Sequence, residues 1–196
     1  MKQVSIEQKR IIFEDVFNIE EAHLRYEKFD GRMSEAVRRI SLERGDSVAV
    51  LILNLDTNKL IMVNQFRYPS YKNGHGWITE TVAGILDPGE TPEQTARREV
   101  EEEIGLSVSK LEYIANFYPS PGGSSERVYL FYSEVSGHEA RYRGTGGLLS
   151  EGEDTIAVEL SLEEAVDKIK SGEIMDAKTI IGIYWLENQR AKRANP

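Results

Sequence analysis

The sequence predicts an α+β domain in which a sheet and helices lie in layers. Short apolar runs rich in branched and aromatic residues recur between Ser47 and Ser161, each bounded by turn residues. Three other segments, beginning at Pro92, after Ser161 and at Asp176, carry helical spacing instead. Strands followed by isolated helices pack as layers around one core. The more polar start of the chain is read as an N-terminal β extension, 1–45, ahead of a main domain, 46–196.

Taken in order, YEKFDGRMSEAVRRI places Asp30-Gly31, a hairpin turn signal, between segments read as strands. NIEEAHLRYEKF also admits a helix. The pattern sharpens at Ser47, where SVAVLILNL, the turn DTNK and KLIMVNQF read as a hairpin over 47–66. WITETVAG (77–84) reads as one further strand, followed after the acidic segment by LEYIANFY (111–118) and RVYLFYSEV (127–135). TIAVELS (155–161) feeds the helix SLEEAVDKIKSGE, with Ser161 as N-cap, Glu164 completing a capping box and Gly172 near its end. DAKTIIGIYWLENQRAKR reads as an amphipathic C-terminal helix.

With 196 residues the chain can bury a full core. Its net charge of −9 argues against the basic footprint of a nucleic-acid binder. The same charge suits a small-molecule partner, with or without metal. There is no cysteine, which excludes disulfides and thiolate sites and points to an intracellular protein. The start has no apolar run after its positive charges, and no window is long and apolar enough to cross a bilayer. The expectation is a cytoplasmic protein with no nucleic-acid and no membrane partner.

Between Gly84 and Leu106, GILDPGETPEQTARREVEEEIGL sets seven acidic residues against two arginines. Thr91-Pro92-Glu93-Gln94 is a helix start and Gly105 a stop, so the helix runs from Pro92 to Ile104. At about 100° per residue, Glu103 falls about 40° and Glu102 about −60° from Glu99, and the three carboxylates share a face. Ala96, Val100 and Ile104 form the neighbouring apolar stripe. Arg98 can pair with Glu102, while Arg97 faces away and Glu101 points to solvent. One arginine does not neutralise three carboxylates. The periodicity fits either a solvated acidic face or a hard-oxygen site for Mg²⁺ or Mn²⁺. Glu90, in the preceding loop, lies towards the same end.

Gly84, Glu90, Arg98, Glu99, Val100, Glu102, Glu103, Gly105 and Leu106 match every specified position of the Nudix hydrolase signature. The segment resembles that family, and the resemblance implies an α/β/α sandwich with a mixed sheet that binds divalent metal. The family hydrolyses nucleoside diphosphates linked to another moiety. By position the metal ligands are Glu99, Glu103 and the carbonyl of Ala83. Glu102 is an outer or second ligand grouped with the catalytic residues, and Gly84, Glu90, Arg98 and Gly105 hold loop and helix in register.

Pro121, fifteen residues after Leu106, is similar to the mark of the ADP-ribose pyrophosphatase branch, as are RRISLERG, NQFR and GLLSEGED. On that resemblance Glu151 is the base that activates water and Glu153 a further metal ligand. Arg39 and Arg67 contact the diphosphate or terminal ribose, and Phe17 stacks on the adenine. The resemblance also implies a homodimer, formed through the N-terminal strands, that cleaves ADP-ribose to AMP and ribose 5-phosphate. GDP-mannose or another nucleotide sugar is the alternative substrate, because that branch also carries Ser-Pro-Gly-Gly. A non-catalytic nucleotide-sugar sensor would lose acids from the box, and a hydrolase of damaged nucleoside triphosphates would be shorter. His23, His75 and His138 are isolated and read as surface residues, whereas Trp77 and Trp185 read as core.

Overall fold

The computed structural model describes residues 2–147, 152 and 154–194. The chain divides into two compact units, Met1–Asp46 with Tyr118–Arg127, and Ser47–Phe117 with Val128–Pro196.

The first unit is built on an antiparallel sheet of β1 (Val4–Glu14), β2 (Asn18–Tyr26) and β3 (Val37–Glu43), in that order. The choice left open for 18–29 falls to strand because β2 has a partner on each side. Ile6 faces Leu24 and Phe13 faces Ile19, so apolar residues pair across the strands. Asp30-Gly31 turns the chain beyond β2, with Gly31 at φ +81° and Asp30 Oδ1 accepting from the Arg32 N–H at 3.0 Å. Glu21, 4% exposed, accepts from Arg10 Nε at 2.9 Å and from Arg38 Nε. Burial of that carboxylate depends on these two cations. The segment 118–127 adds to this unit through Leu42, whose N–H donates to the Gly123 carbonyl at 2.8 Å.

The second unit holds a mixed sheet of β4 (Ser47–Asn54), β5 (Lys59–Phe66), β8 (Glu112–Phe117), β9 (Val128–Val135), β10 (Thr145–Gly146) and β11 (Thr155–Ser161). Their order is β10-β11-β5-β4-β9-β8, with β4 and β9 parallel and the other pairs antiparallel. Around it lie a short turn of helix α1 (Tyr68–Tyr71), then α2 (Pro92–Ile104), α3 (Leu162–Ser171) and α4 (Ala177–Ala194). All eight residues of β4 are buried, because the strand is covered on both faces. Val48, Val50 and Ile52 pack with Ala96, Val100 and Ile104 of α2. Leu51 and Leu53 pack on the opposite side with Ala165, Val166, Ile183 and Leu186 of α3 and α4. Helices on both faces of a mixed sheet make the α/β/α sandwich that the resemblance implied. No helix of the described residues is long and apolar enough to cross a membrane.

The strand at 77–84 and the place of Trp77 differ from the sequence expectation. WITETVAG is not one strand: β6 (Trp77–Glu80) pairs with β5, while β7 (Val82–Ile85) pairs with β4, and the chain changes partner at Thr81. Trp77 is not core but 54% exposed, meeting its cross-strand partner Phe66 edge-to-face at 5.1 Å. Trp185 does pack inward, 5.1 Å from Tyr132.

Candidate active site

Helix α2 begins and ends as its sequence dictates. Thr91 Oγ1 accepts from the Gln94 N–H, Gln94 Oε1 accepts in turn from the Thr91 N–H, and Gly105 closes the helix at φ +67°. The apolar stripe fixes the helix's rotation, so the acidic face is set by packing and not by its own charges. Ala96, Val100 and Ile104 are buried, as are the polar Thr95 and Glu103, while Glu101 is exposed.

Arg98 organises the acids. Its Nη1 lies 2.8 Å from Glu99 Oε1 and 2.9 Å from Glu102 Oε2. Its Nη2 lies 3.3 Å from Glu90 Oε2 and 3.1 Å from Asp87 Oδ2, and also donates to the Ile85 carbonyl. One guanidinium thus ties the loop 85–90 to the helix and touches four carboxylates, one of which, Asp87, the charge pattern did not single out. Burial works against the Arg98 cation, but Glu90, Glu99 and Glu102 raise its pKa above the ordinary arginine value. Glu90 is held below the usual carboxylate range by Thr95, whose Oγ1 donates to it at 2.6 Å, and by Arg98. Thr95 lies four residues before Glu99, the one local sign that it faces this side.

Glu99 leans on the backbone of β7. A Cβ built on Gly84 would lie 1.9 Å from the Glu99 Cδ, so only glycine admits this approach. Ala83, one residue earlier, pairs with Ala49 of β4. Glu103 is 2% exposed, and its carbonyl accepts from Thr155 Oγ1 at 3.3 Å. A Cβ on Gly146 would stand 1.7 Å from that same carbonyl oxygen, so β10 is pressed onto the end of α2. Arg67 directly follows the end of β5, its side chain 40% exposed, with Nε 2.9 Å from Glu80 Oε1. Phe17 and Arg39 belong to the first unit. Phe17 is 38% exposed, with the Arg44 guanidinium 5.3 Å from its ring centre, and Arg39 donates to the Arg38 carbonyl at 3.0 Å. Glu151 and Glu153 lie outside the described residues.

Residues 43–180 match the model of the NUDIX domain. The chain belongs to the Nudix family. An ADP-ribose pyrophosphatase of Escherichia coli is 33% identical over 185 residues, 94% of this chain and 88% of that one. Its counterpart in Haemophilus influenzae is 31% identical over 95% of this chain and 87% of its own. A GDP-mannose pyrophosphatase of Shigella flexneri is also 31% identical, covering 95% of this chain and 96% of its own. In three dimensions a solved ADP compounds hydrolase aligns with a TM-score of 0.66 over 95% of this chain and 96% of that one. At 18% identity that likeness speaks to the fold alone. The Nudix chain is a pyrophosphohydrolase, and Nudix hydrolases use divalent metal ions.

The residues present suit such an ion in kind. Glu99, Glu102 and Glu103 offer hard oxygens, the Gly84 cradle brings a carboxylate against main chain, and near-complete burial of Glu103 carries a desolvation cost that a cation offsets. Among the described residues no three acids converge on one metal-sized point. Arg98, placed between Glu99 and Glu102, is the compensating charge that this Nudix site presents.

Proposed function

We propose that this Nudix enzyme hydrolyses the diphosphate bond of ADP-ribose, giving AMP and ribose 5-phosphate, with Mg²⁺ or Mn²⁺ as cofactor. The observation that carries the reading is the α2 face itself: Glu99 seated on the Gly84 backbone beside Glu102, with Glu103 buried one turn on. The ADP-ribose pyrophosphatases matched along nearly the whole chain favour this substrate, and the GDP-mannose pyrophosphatases favour the second reading, a GDP-sugar.

In this proposal Glu99, Glu103 and the Ala83 carbonyl hold the metal, with Glu102 as a further or outer ligand. When bound, a divalent cation neutralises phosphate oxygens and lowers the pKa of a coordinated water. Arg67 holds the diphosphate as an always-charged planar donor. Phe17 and Arg39, as base and diphosphate contacts, rest on the family resemblance, as do Glu151 as the base that accepts the water's proton and Glu153 as an added ligand. Homodimerisation belongs to the same proposal. It is supported by β1, an edge strand whose 11 residues are all exposed and include Ile6, Ile11, Ile12 and Phe13.

Initial rates on ADP-ribose and GDP-mannose, measured side by side with Mg²⁺ and with chelator, test this. Metal-dependent release of AMP faster than GMP supports it. A preference for GDP-mannose keeps the site chemistry and overturns the substrate.

A further inference from the structure

Glu80 and Lys178, 98 residues apart, form an ion pair inside the second unit. Glu80 is 3% exposed at the end of β6, and its two oxygens face two cations. Oε1 accepts from Arg67 Nε at 2.9 Å, and Oε2 accepts from Lys178 Nζ in the first turn of α4. Lys178 also donates to Asp176 Oδ1 at 2.9 Å. Burial alone would lower the Lys178 ammonium, but Glu80 and Asp176 outweigh it and hold the pKa above the ordinary lysine value.

The neighbouring residue is tied to the same turn of helix. The Thr81 N–H donates to Thr179 Oγ1 at 2.9 Å, and that hydroxyl donates to Asp176 Oδ2 at 2.6 Å. Both threonines are almost wholly buried. The first turn of α4 therefore grips Glu80 and Thr81 by separate routes, at the point where the chain leaves β5 as a partner and joins β4. A buried carboxylate held from one side cannot swing, and so fixes what it holds on the other. What it holds is the Nε of Arg67, a side chain 40% exposed.

We propose that Glu80 is a positioning residue for the substrate's diphosphate, acting through Arg67, with Lys178 locking its second oxygen. This rests on the reading of Arg67 as a diphosphate contact. A partly exposed arginine has many rotamers, and fixing its inner nitrogen before binding removes part of the ordering cost that substrate would otherwise meet. Catalytic groups on α2 are not touched, so the effect belongs in binding and not in turnover.

The test measures the Kd of ADP-ribose in chelator, where no metal-dependent turnover occurs, and KM and kcat with Mg²⁺. The proteins are the full-length wild type, Glu80→Gln, Arg67→Ala and the double variant. Glu80→Gln should weaken Kd and raise KM about tenfold, with kcat within about twofold. In the Arg67→Ala background it should add nothing, because the route is already cut. If Glu80→Gln unfolds, Glu80→Gln with Lys178→Met, which removes both charges, takes its place. Additive losses, or a wild-type Kd in Glu80→Gln beside a weakened Arg67→Ala, would overturn this inference alone. A wild-type Kd in Arg67→Ala would remove the diphosphate role of Arg67 and this inference together.

Discussion

Gly84 and Glu99 approach so closely that a Cβ on the glycine would overlap the carboxylate at 1.9 Å from Cδ and 2.0 Å from Oε1. The strand β7 and the helix α2 are therefore registered by one missing side chain. Gly84→Ala should push the flexible carboxylate end of Glu99 off the strand and reduce metal-dependent turnover, at a cost in stability of about 1 kcal/mol or less. Thermal unfolding and initial rates on the same variant check it, and a wild-type rate would mean that Glu99 has another resting place.

Arg98 touches Asp87, Glu90, Glu99 and Glu102, so its removal leaves like charges facing one another. Arg98→Ala should cost about 1–3 kcal/mol in chelator, and less with saturating Mg²⁺ if a cation can take over the compensation. Denaturant unfolding with and without Mg²⁺ reads the difference. Equal losses in both would count against metal binding on this face.

Asp46 and Arg127 close the first unit: Arg127 Nη2 lies 2.5 Å from Asp46 Oδ2, and its N–H donates to Oδ1 at 3.1 Å. Arg127 holds the Asp46 carboxyl below its ordinary value of 3.8. A folded pKa that is depressed contributes stability above the unfolded value and loses it as pH falls through the folded one. Asp46→Asn should therefore cost about 1 kcal/mol or less at neutral pH, since the Arg127 side chain is 43% exposed, a gap that narrows below pH 3.8 and closes once wild-type Asp46 is protonated. Unfolding curves across that range decide it; a gap independent of pH would point to packing instead.

The helix α3 offers a control away from the acids. Ser161 Oγ accepts from the Glu164 N–H at 3.1 Å, and Glu164 Oε2 accepts from the Ser161 N–H at 2.8 Å. Ser161→Ala should lose about 1 kcal/mol of stability and leave kcat unchanged.

What the sequence made legible was mostly local. Helix α2 lies between Thr91 and Gly105 because a capping box and a left-handed glycine are short-range devices, and the stripe Ala96, Val100, Ile104 sets which face is acidic. The break at Thr81 was not legible, since a strand's change of partner depends on β4, β5 and the first turn of α4, all distant in sequence. Trp77 misled for the same reason, as apolar neighbours do not reveal an outer edge. The strand β1 has no buried face to impose a period. Glu80 and Lys178 meet across 98 positions, a separation over which no spacing rule operates.

In the proposed function the acidic face of α2 holds the divalent ion on which hydrolysis depends. The rate of AMP release from ADP-ribose against Mg²⁺ concentration, in wild type and in folded Glu103→Gln, tests it most directly. The variant should lose turnover by at least about a hundredfold, because the nearly isosteric amide removes the charge from a residue that is 2% exposed. A near wild-type rate at saturating Mg²⁺ would contradict the assignment.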